Sequence, residues 1–286
     1  MSGTSSTCAG VSRNLIVTVT GEGSPYTLVY NDGSNNTTVS NYISGSNIAV
    51  SSLTDKTYTL VSVTTAAGCT SSISGSAVIT VTNATTTWNG TAWSNGEPTE
   101  SKAAIISGTF TSPGTNPNYN LRACKLTVNS GATVLIKSGD TVTLDGALIA
   151  STGSFVTFNS GANLIQYGTT NENTGAIVIK RESARIKRLD YTIWSSPVAA
   201  QGLQAFSPNT LSNRFYSYNS STNLYQAVDP SATTFSPFNG YLIRTPNTHP
   251  TTPATWTGQF AGVPNNGIYS ATLTNFGEGK RYNLIG

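Results

Sequence analysis

The sequence predicts an all-β protein in three parts: an immunoglobulin-like sandwich (residues 1–83), a short parallel β-helix of about 22 residues per coil (84–188) and an antiparallel β-sandwich (189–286). Three observations predict this class. Glycines recur at a near-constant step in the middle of the chain, and short alternating apolar runs separated by turn residues occupy both ends. Charged residues are only 9% of the chain, against about 25% in ordinary globular proteins, yet β-branched and aromatic residues are abundant. No window has the apolar period of a capped helix, so we expect few helices.

The first part contains six short alternating runs. The turn Asn31-Asp32-Gly33 between two of them is a strong hairpin signal, because such a turn requires positive φ angles. Asp32 supplies one carboxylate, too few for a calcium loop, so a plain turn is favoured. Six or seven strands in this length are typical of an immunoglobulin-like sandwich. The predicted strands span residues 15–20, 26–30, 37–39, 47–50, 57–63 and 77–81.

The middle part repeats every 22 residues. Val134, Val156 and Val178 fall in one column of this repeat, as expected if successive coils stack and bury their apolar faces against each other. Trp88 and Trp93 stand at its start and are expected to cover the open end of the coil stack, although a pair of tryptophans could also stack on a sugar. The glycines that mark the repeat are Gly131, Gly139, Gly146, Gly153, Gly161, Gly168 and Gly175.

The last part loses the period and gains prolines and aromatic residues. Its alternating runs predict antiparallel strands joined by long loops. The sequence stops at residues 282–286, within an expected strand, so we expect this sandwich to be incomplete. Nor does the opening MSGTSST resemble a signal peptide, which suggests a fragment of a longer protein. The predicted strands span residues 191–194, 214–218, 240–244, 255–260 and 269–273.

Charge and hydropathy restrict the partners. The net charge is +3, and five basic residues cluster in nine positions around residue 184. Glu182 and Asp190 accompany this cluster and no nucleic-acid-binding motif does, so we read it as a solvated junction and expect no nucleic-acid partner. No stretch approaches the roughly 18 apolar residues of a membrane span, so we expect no direct membrane insertion. The basic residues are Lys180, Arg181, Arg185, Lys187 and Arg188.

Enzyme chemistry is poorly supported. The only histidine, His249, lies in a proline-rich loop, and no nucleophile, zinc or phosphate motif occurs, so we expect no catalytic residue, metal or cofactor. Asp140 and Asp145 lie in one coil, and paired carboxylates could serve a β-helix polysaccharide lyase or hydrolase. Both flank glycines at turn positions, where Asp is common, and the next coil has Ala162 and Tyr167 instead. We therefore favour a non-enzymatic protein.

The cysteines and aromatic residues suggest further sites. Cys8 and Cys69 bracket the first part, which suggests a disulfide and an oxidising compartment, whereas Cys124 reads as a buried small hydrophobe. A carbohydrate-binding role is the main alternative function. Core packing is the favoured role of its candidate stacking residues, which are Trp194, Tyr216, Tyr218, Tyr241 and Trp256.

Several segments resemble surface proteins of gliding bacteria of the Bacteroidetes phylum, which the type IX secretion system exports and which include large repetitive adhesins. The segments are SPYTLVYNDGSNNTTVSNYISGSNIAV, TTTWNGTAWSNGEPTESKAAIISG, LRACKLTVNSGATVLIKSGDTVTLDGAL and RLDYTIWSSPV. The resemblance implies a secreted or cell-surface adhesin or stalk, partnered by the secretion machinery and by surface glycans or other surface proteins. It also implies a Cys8–Cys69 bridge. Asp140-Thr141-Val142 matches a pattern that these bacteria O-glycosylate, which makes Thr141 a candidate.

Overall fold

The structure is a computed structural model that describes residues 1–21, 23–70, 73–114, 118–280 and 282–286. Strands make up 45% of it and helices 3%, so the predicted all-β class is confirmed. The helical elements in these ranges are one short helix, α1 (Leu203–Phe206), and one 3₁₀ turn (Ser212–Arg214). Among the described residues, no helix has the length and apolar character needed to cross a membrane.

The first domain is a two-sheet sandwich. One sheet has the strand order β1-β7-β6-β3-β4, and the other pairs β2 with β5. β1 runs parallel to β7 and the remaining pairs are antiparallel, an arrangement of the immunoglobulin-like kind. The strands are β1 (Ser5–Cys8), β2 (Arg13–Ile16), β3 (Tyr26–Asn31), β4 (Asn36–Tyr42), β5 (Asn47–Val50), β6 (Lys56–Thr65) and β7 (Ser76–Thr82).

The predicted hairpin turn joins β3 to β4. The Asp32 carboxylate accepts hydrogen bonds from the backbone N–H groups of Ser34 (2.9 Å) and Asn35 (2.7 Å) and from Lys56 Nζ (3.1 Å). The Asp32 carboxylate therefore caps the turn. Strand β1 was not predicted, because its sequence Ser-Ser-Thr-Cys has no apolar alternation, and only pairing with β7 defines it.

Strands of the middle part stack as a parallel β-helix of about four turns of roughly 22 residues. Its three faces have the strand orders β8-β9-β12-β15, β10-β13-β16-β18 and β11-β14-β17. The strands are β8 (Thr85–Trp88), β9 (Ala103–Ile106), β10 (Thr109–Thr111), β11 (Asn120–Ala123), β12 (Leu126–Val128), β13 (Thr133–Ile136), β14 (Thr141–Leu144), β15 (Leu148–Ala150), β16 (Phe155–Phe158), β17 (Asn163–Gln166) and β18 (Ile177–Ile186).

The apolar columns follow the predicted spacing except at the last coil. Val134 pairs with Val156, and both are buried, as the 22-residue repeat predicts. Val178 pairs instead with Thr157, so its place in the column is wrong. Ile177 and Ile179 are the buried residues of β18. The last strand therefore enters the stack one residue earlier than the repeat predicts.

The glycines turn the chain between faces, and the tryptophans cover the first coil. Five of the seven repeat glycines have φ between 78° and 87°, a region that residues with a side chain rarely adopt. The rings of Trp88 and Trp93 lie 5.5 Å and 6.0 Å from that of Phe110, which belongs to the first strand of its face. The structure thus places the tryptophan pair over the end of the stack, as predicted for a cap.

The last part adds two antiparallel arrangements to the β-helix. β18 continues beyond the stack and pairs with β23, and a separate sheet has the order β19-β22-β20-β21. Trp194, Phe206, Phe235 and Phe260 pack between them and belong to the same continuous core as the β-helix. The strands are β19 (Tyr191–Trp194), β20 (Phe215–Asn219), β21 (Leu224–Ala227), β22 (Tyr241–Arg244) and β23 (Ala254–Gly262).

One predicted strand of this part is not formed. Residues 269–273 have no strand partner, and Leu273 is 64% exposed. The segment before it is held by the β-helix instead, because Ile268 N donates to the Thr169 carbonyl (3.1 Å). Alternation alone therefore predicted a strand where the chain is a loop.

Candidate functional site at the junction of the first domain and the β-helix

A disulfide crosses this junction. Cys8, at the end of β1, is bonded to Cys124, which lies between β11 and β12 and is 116 residues away in sequence. Cys69 is exposed and free, so the predicted Cys8–Cys69 bridge is wrong. The physical reason is that β1 is an edge strand whose end packs on the β-helix, where Cys8 forms a buried cluster with Val11, Ala103 and Cys124.

An ion pair lies beside the disulfide. Arg13 Nη2 donates to Asp145 Oδ2 at 2.8 Å, and the two side chains are only 16% and 10% exposed. Arg13 also donates to the Ser6 carbonyl from Nε (3.3 Å) and Nη2 (3.1 Å). Because the guanidinium is held on both sides, it fixes the first domain to a corner of the β-helix.

Close backbone packing completes the junction. Gly146 N donates to the Cys124 carbonyl at 2.7 Å, and a Cβ at Gly146 would come within 3.0 Å of Val11 Cγ2. A side chain at position 146 would therefore force Val11 of the first domain to shift. The glycine of the repeat therefore serves the domain contact here, and its φ is not positive.

A polar hollow of about 530 Å³ opens next to these contacts. Its charged groups are already paired, since Arg122 contacts Glu100 at 2.7 Å and Arg13 contacts Asp145 at 2.8 Å. The arrangement can hold the two domains in a fixed register. The carboxylates of Asp145 and Glu100 are each bound to an arginine, so neither is free to act as an acid or base. The lining residues are Thr4, Ser5, Ser6, Arg13, Glu100, Ser101, Arg122 and Asp145.

The second carboxylate of the predicted pair has a different role. Asp140 is fully buried and accepts hydrogen bonds from Ser112 Oγ (2.5 Å), Gly114 N (2.8 Å) and Tyr119 N (3.0 Å). It anchors both ends of the excursion between β10 and β11, of which residues 115–117 lie outside the described residues. Asp140 and Asp145 thus bind separate partners, and neither arrangement is that of a glycosidase pair facing a common cleft.

Thr141 lies next to this anchor. It begins β14, is half-buried and pairs with Asn120 and Asn163 of the neighbouring strands. Its backbone N–H donates to the Tyr119 carbonyl at 2.9 Å. O-glycosylation of Thr141 stays a prediction.

The five candidate stacking residues separate into two groups. Trp194 and Tyr241 are buried, and Trp256 packs edge-on against Trp194 with centroids 5.2 Å apart, so these three serve the core. Tyr216 and Tyr218 are half-buried on β20. The Arg214 guanidinium donates to the Tyr216 hydroxyl at 3.4 Å and lowers the pKa of Tyr216.

His249 is buried in its loop, with Nε2 lying 2.9 Å from the Ile186 carbonyl and 3.2 Å from that of Ala254. It thereby ties the end of β18 to the start of β23. Within the part of the chain that the structure describes, no three His, Cys, Asp or Glu side chains are close enough to hold a metal ion.

Comparison with known families gives one match. A protein-family model described as "Domain of unknown function (DUF8693)" matches residues 80–286, which is most of the chain. The chain belongs to the DUF8693 family. It matches no curated protein and no solved structure.

The DUF8693 match corresponds to a physical unit. It begins within the last three residues of β7 and covers the β-helix and the last part together, the two regions that share one core. Cys124 and Asp145 therefore belong to the DUF8693 region, whereas Cys8 and Arg13 precede it. The disulfide and the ion pair attach the preceding domain to the DUF8693 domain.

Sequence reasoning named Cys8 with the wrong partner and missed the other contributors to this junction from the first domain. Arg13 precedes the first predicted strand and has no other sequence signal, and Val11 is one of many apolar residues. Gly146 carried a signal as part of the glycine repeat. In this DUF8693 protein the repeat explains the turn but cannot identify what packs on it.

Proposed function

We propose that this protein is a non-enzymatic, extracellular surface protein that acts as an adhesin or as the stalk presenting one, exported by the type IX secretion system. The observation that carries the proposal is the Cys8–Cys124 disulfide beside the Arg13–Asp145 ion pair. A covalent bond and a largely buried charge pair across a domain boundary resist bending, which suits a protein that carries load outside the cell.

The disulfide also supports the compartment. Disulfides persist in oxidising surroundings and are rare in the cytosol of mesophiles. The low content of charged residues, 9%, leaves little surface attraction that salt could screen, so such a surface keeps its properties as ionic strength changes. Export by the type IX system is supported by the resemblance of the sequence to proteins that use it.

The hydrogen bonds of Asp140 and the ion pair of Asp145 favour a structural role for these two carboxylates over a β-helix lyase or hydrolase. The Asp140 carboxylate accepts three hydrogen bonds from the protein, and the Asp145 carboxylate is paired with Arg13. Removing either side chain should therefore lower the free energy of unfolding, whereas a catalytic role would predict the loss of a lyase or hydrolase activity.

A deletion strain of the producing bacterium tests this proposal. Deletion should reduce attachment of the cells to surfaces, and the wild-type gene should restore it. A Cys8→Ser/Cys124→Ser gene should restore attachment only partly, whereas the matched control Cys69→Ser should restore it fully, because Cys69 is free and exposed. Unchanged attachment after deletion, or protein that protease on intact cells cannot reach, would refute the surface role. Surface display that persists in a strain without type IX export would refute that route alone.

A further inference from the structure

A small tyrosine-lined hollow lies in the last part of the chain, far in sequence from the junction. Its volume is about 230 Å³. Tyr225 and Tyr282 expose 44% and 66% of their surface, so both side chains can be reached from solvent. The lining residues are Tyr218, Asn223, Tyr225, Tyr282, Asn283 and Leu284.

The first wall of the hollow is fixed by the β20–β21 hairpin. Tyr218 and Tyr225 are directly opposite each other on these strands, with ring centroids 5.6 Å apart in an edge-to-face arrangement. Tyr218 Oη donates to Asn223 Oδ1 at 2.5 Å, and Asn223 has φ of 57°, in the left-handed region that turns use. The rings and the amide are therefore held in place before any ligand arrives.

The second wall is fixed by the segment around Thr274. Asn283 Oδ1 accepts hydrogen bonds from Thr274 N (3.1 Å) and Oγ1 (3.0 Å), and Asn283 Nδ2 donates to the Thr274 carbonyl (2.9 Å). One Nδ2 proton of Asn283 is left over. Among the described residues, the hydroxyls of Tyr225 and Tyr282 make no hydrogen bond to the protein, so they too are available to a ligand.

We propose that this hollow binds one ring of a neutral glycan. A sugar ring has an apolar C–H face, which packs on an aromatic ring, and a rim of hydroxyls, which pair with amides and phenols. The described lining residues carry no charge, so they themselves offer no counter-charge to an acidic sugar or a phosphate. A protein partner needs roughly 800 Å² of surface on each side, far more than this hollow offers.

This inference names a ligand for the proposed adhesin, but it can fail independently. Attachment through the junction-locked stalk does not require this hollow. Binding of sugar by the purified protein does not require export or surface display.

Calorimetric titration of the 286-residue protein with neutral oligosaccharides tests the proposal. The sugars are cellohexaose, mannohexaose, xylohexaose, laminarihexaose and chitohexaose. At least one oligosaccharide should bind saturably, with a Kd of roughly 0.1–1 mM, because one ring supplies few contacts. Tyr225→Ala and Tyr282→Ala should each weaken that binding about fivefold to tenfold. Tyr225→Phe should keep most of it, because the ring is retained.

The matched control is Tyr167→Ala. Tyr167 is 61% exposed on the β-helix, so its loss removes a similar aromatic surface away from the hollow. Its binding should equal that of the wild type. All three alanine variants remove exposed side chains, and circular dichroism checks that they fold. The proposal would be overturned if none of the five oligosaccharides bound. It would also be overturned if Tyr225→Ala and Tyr282→Ala bound as tightly as the wild type, or if Tyr167→Ala weakened binding as much as they do.

Discussion

Arg13 and Asp145 form a 2.8 Å ion pair although they are 132 residues apart in sequence. Arg13 lies in the first domain and Asp145 at a corner of the β-helix. Both side chains are at least four-fifths covered, so the pair is shielded from solvent. Asp145, a candidate catalytic carboxylate in the sequence, is therefore part of the contact between the two domains.

Asp145→Asn should lower the free energy of unfolding by about 1–3 kcal/mol, because it leaves the largely buried Arg13 guanidinium without its counter-charge. The matched control is Glu100→Gln, which breaks the exposed pair with Arg122 and should cost less than about 1 kcal/mol. Urea unfolding followed by circular dichroism measures both. Equal losses of unfolding free energy in the two variants would show that the Arg13–Asp145 pair stabilises the protein no more than an exposed ion pair does.

Two glycines of the repeat should respond differently to alanine. Gly131 and Gly175 have φ of 79° and 78°, so both variants bear the same cost of a left-handed alanine, about 1 kcal/mol. A Cβ at Gly131 meets nothing within 4 Å, whereas one at Gly175 would overlap the Ala150 carbonyl. Gly175→Ala should therefore lose at least about 3 kcal/mol in thermal or urea unfolding. Similar losses at both positions would contradict the stacking of the last coil.

Asp140→Ala should destabilise the protein by about 2–4 kcal/mol, because it leaves the buried Ser112 hydroxyl and the part-buried N–H groups of Gly114 and Tyr119 without their acceptor. Limited proteolysis should also cut the excursion between β10 and β11 faster. Asp229→Ala is the control, since the carboxylate of this exposed turn residue accepts bonds from Ser231 N and Oγ at the surface, and its loss should cost less than about 1 kcal/mol. An Asp140 variant as stable as the wild type would rule out the anchoring role.

The stability of the first domain should depend on pH through Asp32. Backbone hydrogen bonds from Asn35 and Ser34, followed by the bond from Lys56, lower the pKa of Asp32 from 3.8 to about 2. The unfolded chain therefore binds a proton at higher pH than the folded one, so this contribution is complete above pH 3.8 and is lost as the pH falls through 2.

Two variants separate the causes of this shift. Asp32→Asn should be less stable than the wild type at pH 5, and the difference should shrink as the pH approaches 2. Lys56→Gln removes one donor but keeps both backbone donors, so the pKa of Asp32, followed by NMR, should remain below 3.8. An Asp32 pKa at or above 3.8 in the wild type contradicts the capped turn.

The sequence predicts the repeat well because glycine turns and apolar columns are local or periodic. Val134 and Val156 pair as expected, and the Asn31-Asp32-Gly33 turn joins two strands. Val178 is misplaced because the repeat of the turn glycines continues while the strand after Gly175 enters the sheet one residue early. No pattern in the sequence records such a shift.

The junction could not be predicted, because it depends on how two domains meet. Cys8 lies nearer to Cys69 than to Cys124 in sequence, yet the edge position of β1 brings it to the β-helix. The tyrosine hollow was predicted only through Tyr218. Tyr225 belongs to a four-residue strand that is exposed throughout and has no apolar alternation, and Tyr282 reaches the hollow from a distant loop.

Peptide mapping of the unreduced, alkylated protein by mass spectrometry is the most direct test of the domain-locking disulfide. It should find the Cys8 peptide linked to the Cys124 peptide and alkylation at Cys69 alone. A Cys8–Cys69 link with Cys124 alkylated would contradict the covalent attachment of the first domain to the β-helix.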